Sequence, residues 1–162
     1  MANYFDKYTA LVAETSVNTA LQQQTTILAA FLNSIDETKS TYAYAPEKWT
    51  LKELLQHIID TERIFTYRAL CIARGETVDL PGYDENLYAT ASQANSRSWN
   101  DLVEEMYVVR KSTELLFRSL NDTMLQQKGW FNSLEGSAGL LGIICVGHVY
   151  HHINIAKERY GV

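Results

Sequence analysis

The chain reads as all-α, a four-helix bundle with a long connection between its second and third helices. Three observations carry that expectation. Apolar residues recur at helical spacing through four long stretches. The two prolines, Pro46 and Pro81, both fall between those stretches, where the ring removes no helical hydrogen bond and meets no preceding turn. No segment shows a convincing strand alternation, so helix on helix is the packing left.

The first helix is expected over roughly 17–34, with Val17, Leu21, Leu28, Phe31 and Ile35 on one face. Residues before it, Tyr4 to Ala13, suit a short extra helix or arm. The second helix is the best marked. Thr50 is a good N-cap, Glu53 stands three residues on and completes a capping box, and Trp49 can staple onto Leu54. It runs to about Arg74, where Gly75 offers a left-handed cap. A connection of some twenty residues follows, a length at which loops are often functional. The third helix spans about 97–120, with Leu102, Met106, Val109, Leu116 and Leu120 inward. The fourth opens near Ser137 and continues to about Tyr160.

Composition narrows the function. The chain has 162 residues, 46% of them hydrophobic and 20% charged, which suits one soluble domain over 1–162 with a sizeable core. A net charge of −5 with scattered Lys and Arg argues against nucleic acid or an anionic membrane as partner. The opening Met1-Ala2-Asn3-Tyr4-Phe5-Asp6 lacks the basic and apolar regions of a secretory leader. No stretch reads as approaching the roughly 18 apolar residues of a membrane helix. Cys71 and Cys145 are therefore expected as reduced core thiols in a cytoplasmic protein.

The chemistry concentrates on the fourth helix. At about 100° per residue, Leu141, Ile144, Cys145, His148, His152, Ile155 and Arg159 fall on one stripe, with the two histidines near its centre. Four residues apart, they are neighbours on one face, and buried imidazole nitrogens need partners. Two readings satisfy them: hydrogen bonds within the core, or a shared metal ion. Val149 follows His148, so the general-base glutamate of the zinc-protease motif is missing. His57 sits on the flank of the second helix's core stripe. Alone it reads as a boundary histidine; with the pair it completes a three-histidine set that leaves a coordination position open.

Other candidates surround these. His151 lies at the edge of the stripe as a pocket residue, and Cys145 is either a fourth ligand or a packed thiol. Asp60 and Glu62 are candidates to orient an imidazole or act as a base, Asp60 being the candidate catalytic residue. Arg159 could anchor an anionic substrate or make a helix-end interaction, and Gln24 and Thr25 could line the same pocket.

Three segments carry a resemblance over nearly the whole chain: Ala45-Pro46-Glu47-Lys48-Trp49-Thr50-Leu51-Lys52-Glu53-Leu54-Leu55-Gln56-His57 with Asp60-Thr61-Glu62-Arg63, Leu80-Pro81-Gly82-Tyr83-Asp84-Glu85-Asn86, and Gly147-His148-Val149-Tyr150-His151-His152. In order and spacing they resemble the DinB/YfiT-like superfamily. The resemblance implies a four-helix bundle, often a homodimer, with a divalent metal on His57, His148 and His152, none of them substituted. Zinc, nickel and iron all suit imidazole.

Better-understood relatives are metal-dependent transferases or isomerases using low-molecular-weight thiols. The leading expectation is thus a metal-dependent enzyme on a small molecule. A thiol S-transferase would bind the thiol as thiolate, and a hydrolase would activate water. The alternative is a non-catalytic metal- or ligand-binding stress-response protein. The plainest is a bundle whose histidines only hydrogen-bond one another.

Overall fold

The computed structural model describes residues 5–162, so Tyr4, with which the predicted arm begins, and the residues before it lie outside it. Four long helices dominate: α2 (Val17–Asn33), α4 (Leu51–Ala73), α6 (Trp99–Ser119) and α8 (Ala138–Ile155). Short helices α1 (Asp6–Thr9), α3 (Glu37–Ser40), α5 (Glu85–Ser92) and α7 (Asp122–Gln126) fill the connections. Both α2 and α4 pack against α6 and α8, so these two consecutive long helices face each other across the bundle diagonal.

Local chemistry sets the boundaries. Thr50 Oγ1 accepts from the Glu53 amide while Glu53 accepts from the Thr50 amide at 2.8 Å, the full capping box. Trp49 packs against the apolar cluster that holds Leu54. Gly75, at φ 87°, follows the end of α4 in the left-handed conformation that a side chain would strain. Ser137 caps α8, accepting from the Leu140 amide at 3.1 Å. The turn Ala156–Tyr160 that ends this helix is π-helical.

α8 is the central element, touched by α1, α2, α4 and α7. Ile144 to Val149 are buried without interruption. Contrary to the expectation from sequence, Ala138–Tyr160 is long and apolar enough to cross a membrane, but 61% of its most apolar window is buried inside the fold. Enclosure on several sides accounts for that apolarity.

Two elements differ from the sequence reading. The connection after α4 is not a bare loop: Asp84 caps α5 by accepting from the Asn86 and Leu87 amides. A hairpin, β1 (Lys128–Phe131) and β2 (Leu134–Ser137), precedes α8 in antiparallel register with Phe131 opposite Leu134. Its turn residues Asn132 and Ser133 have φ of 51° and 60°, the paired positive values of a tight hairpin turn. Leu80 bridges in parallel to Phe131: its amide donates to Trp130 O at 3.0 Å, and its carbonyl accepts from the Asn132 amide at 2.8 Å. The connection after α4 is thereby fastened to the hairpin.

Candidate metal centre

His57 comes from α4, His148 and His152 from consecutive turns of α8, and these helices lie side by side. All three imidazoles are buried, and His57, on a flank by the wheel, is only 7% exposed because α8 covers it. His148 Nε2 lies 3.0 Å from His57 Nε2 and 3.0 Å from His152 Nε2. One ligand atom from each falls within 4.8 Å of the others.

Desolvation keeps these rings neutral. Burial holds His57 down at about 4 and pushes His148 and His152 well below the ordinary imidazole value, with His152 and His57 adding to the reluctance of His148 to charge and His57 to that of His152. A neutral imidazole has one donor and one acceptor nitrogen. His148 Nε2 faces two other nitrogens and can serve only one of them well, so mutual hydrogen bonding leaves the group short. His152 Nδ1 is buried with no hydrogen-bond partner among the described residues. A divalent ion fits the donor set: nitrogens each about 2.0–2.1 Å from one tetrahedral ion lie about 3.3 Å apart, close to the two 3.0 Å separations at His148.

The cluster opens into a cavity of about 240 Å³. Aromatic rings form much of its wall: Trp49 stands 4.9 Å from the His57 ring, Tyr8 5.4 Å from His148, and Phe65 presents its edge to His148 at 6.0 Å. Tyr8 reaches its place because α1 lies directly on Gly147, where an added Cβ would sit 2.1 Å from Tyr8 O. On the far side, Tyr83 and Thr61 share a short hydroxyl hydrogen bond, and burial pushes the Tyr83 phenol up to about 12. Gly82 allows the Asn132 side chain to close against the loop, since a Cβ there would meet Asn132 Oδ1 at 2.4 Å. Among the described residues Lys7 and Arg68 are the cavity's cations, and Glu85 is its one acid.

Of the flanking candidates, His151 lines the cavity, its ring 5.1 Å from that of His152. The others are placed elsewhere. Asp60, three residues beyond His57, points round α4 and accepts from Gln56 Nε2 at 2.9 Å, outside the cavity lining. Glu62 turns into the core and pairs with Arg110 at 2.7 Å, both side chains 1% exposed. Gln24 joins that pair, accepting from Arg110 at 2.9 Å and donating to Val146 O at 2.6 Å, while Thr25 donates to Glu114. Cys145 lies a turn deeper than His148, where burial and the neighbouring Glu62 push its thiol well up, and it stands outside the histidine cluster. Both cysteines are free. The π-helical turn rotates Arg159 out to solvent, where it donates to the Tyr44 hydroxyl at 3.1 Å, and brings Tyr160 inward instead.

Arg68 was missed from sequence, although a signal exists. At about 100° per residue, Thr61 and Arg68 fall within about 40° of His57 on α4, so the three share one face.

Comparison with known proteins agrees with this architecture. Among solved structures, the chain resembles YfiT from Bacillus subtilis with a TM-score of 0.67 at 16% identity, over 99% of this chain and 91% of that one. That protein is described as a probable metal-dependent hydrolase with an unusual four-helix bundle topology. A comparison with curated proteins finds no match. The DinB superfamily model matches residues 20–156, a span that takes in α4, α8 and all three clustered histidines. The chain belongs to the DinB superfamily.

Proposed function

We propose that this protein is a metal-dependent enzyme acting on a small molecule, with hydrolysis its leading chemistry. The observation that carries the reading is the convergence of three buried, neutral imidazole nitrogens at the floor of an open cavity. His57, His148 and His152 would hold the ion. A divalent ion there would supply Lewis acidity, lowering the pKa of a water or thiol that joins it and polarising a substrate carbonyl. The description of YfiT as a probable metal-dependent hydrolase supports the same direction.

The remaining residues have distinct tasks. Trp49, Phe65 and Tyr8 limit water around the histidines. Tyr83 stays protonated through the neutral range and can donate to a developing negative charge. His151 is the lining imidazole outside the cluster, and we assign it the proton transfer at the cavity edge in place of Asp60.

The test is metal content by mass spectrometry on tag-free protein, with His57→Ala, His148→Ala and His152→Ala beside wild type. The expected result is one divalent ion per chain, sharply reduced in every variant. Wild type that takes up none after dialysis against zinc, nickel and iron(II) would end the metal reading. Ester, amide and lactone panels, run with and without a low-molecular-weight thiol, then separate hydrolysis from thiol transfer, because hydrolysis needs no added thiol.

A further inference from the structure

We propose that the cavity selects a small carboxylate-bearing substrate, with Arg68 as the group that receives the carboxylate. Arg68 is 4% exposed and lines the cavity. Among the described residues none of its nitrogens lies within ion-pair distance of an acid. Asp79, the acid whose field reaches it, is held instead by the Ser133 amide at 3.1 Å. The guanidinium donates to Pro81 O at 2.6 Å and rests near two aromatic rings, 5.8 Å from the centroid of Phe65 and 5.9 Å from that of Phe131. One of its five N–H groups is thus visibly used.

A buried cation without an anion is costly, and Arg110 shows how this chain pairs one when the purpose is internal. Arg68 is left for an anion from outside. Aromatic neighbours suit a planar guanidinium and leave its edge for hydrogen bonding, the geometry a planar carboxylate matches in two parallel bonds. Phe65 connects this edge to the histidines, since the same ring lies 6.0 Å from the His148 ring. Lys7 adds positive potential. The volume lies below the usual range for drug-sized ligands, which restricts the acid to a short chain. Placement of the reacting atom at the histidines rests on the metal-dependent reading, whereas recognition of the carboxylate does not.

The experiment titrates butyrate, its uncharged isostere butyramide, and propylphosphonate into nitrogen-15-labelled protein, both metal-free and zinc-loaded. Binding is followed on the Trp49 indole and Arg68 side-chain resonances. Butyrate is expected to bind at least tenfold more tightly than butyramide in both forms and more tightly than propylphosphonate. Arg68→Met should remove the advantage over butyramide, and Arg68→Lys should retain part of it. Equal binding of butyrate and butyramide to wild type overturns the proposal without any variant. So does an advantage that survives in folded Arg68→Met, or tighter binding of propylphosphonate, which would make the ligand a phosphate. Butyrate selectivity in protein that takes up no zinc would uphold this inference while sinking the metal site.

Discussion

Two polar clusters lie inside the bundle, a few residues apart along α4 and α8. Glu62, Arg110 and Gln24 form the first, and it is closed to solvent: the acid meets the base at 2.7 Å and Gln24 links the base to Val146 O, while Glu62 Oε1 and Arg110 Nε have no hydrogen-bond partner among the described residues. His57, His148 and His152 form the second, equally buried but neutral, short of hydrogen bonds and facing a cavity. Opposite charges satisfy each other within the fold, while three like bases cannot. Unmet bonding capacity is common to both clusters, so what sets the histidines apart is that they are uncharged, like bases that line a cavity.

The comparison can be broken most forcefully in the closed cluster. Arg110→Leu leaves Glu62 as an uncompensated buried charge and should cost about 3–5 kcal/mol in urea unfolding, whereas Glu62→Leu with Arg110→Met should recover most of it. A loss under 1 kcal/mol in the single variant would mean that the pair is hydrated and the cluster is not closed. The open cluster responds to protons instead. His57 titrates at about 4 in the folded protein against an ordinary value of 6.5, so between these values the unfolded chain binds more protons. Metal-free protein should be most stable above about pH 6.5 and lose on the order of 3 kcal/mol from His57 alone as pH falls toward 4. His148 and His152, shifted the same way, act in the same sense. Denaturant midpoints unchanged between pH 7 and pH 5 would contradict neutral, buried rings.

The smallest effect concerns the start of α4, common to both clusters. Thr50→Ala should cost about 1 kcal/mol in thermal unfolding, since one capping bond is lost while α6 and α8 still hold the helix. A much larger loss would show that the Thr50 contact to Asn95 Oδ1, rather than the cap, secures this end.

The four long helices and their caps were legible because each signal is local: Thr50 with Glu53, Ser137 before α8, and prolines confined to connections. The hairpin was not, because four-residue strands are too short to display alternation and an Asn-Ser turn lacks the glycine that usually announces one. In α5 only Ala89 is buried, so no apolar stripe exists to find. In the site, the spacing of His148 and His152 and the flank position of His57 suggested the set, and the family resemblance weighted the metal reading over core hydrogen bonds. Asp60 and Glu62, chosen for their closeness to His57 in sequence, and Arg159, chosen by its direction on the wheel, all stand outside the cavity lining. A wheel gives direction on an ideal helix but not which neighbour stands there, and a π-turn rotates everything beyond it. Arg68 was overlooked because a long basic side chain on a helix is ordinarily solvated; its burial depends on Pro81 and Phe131, both remote in sequence.

The Leu80–Phe131 bridge has a consequence for how such a site could diversify. The floor that holds the histidines is written into two long helices, whose geometry the whole core enforces. The far rampart, with Gly82, Tyr83 and Asn132, is written into two surface segments that are laced to each other. The histidines and Arg68 are therefore encoded in the long helices, and the wall that faces them in a separable stretch of chain. Exchanging 79–84 together with 130–134 amounts to fitting a new lock on an unchanged door.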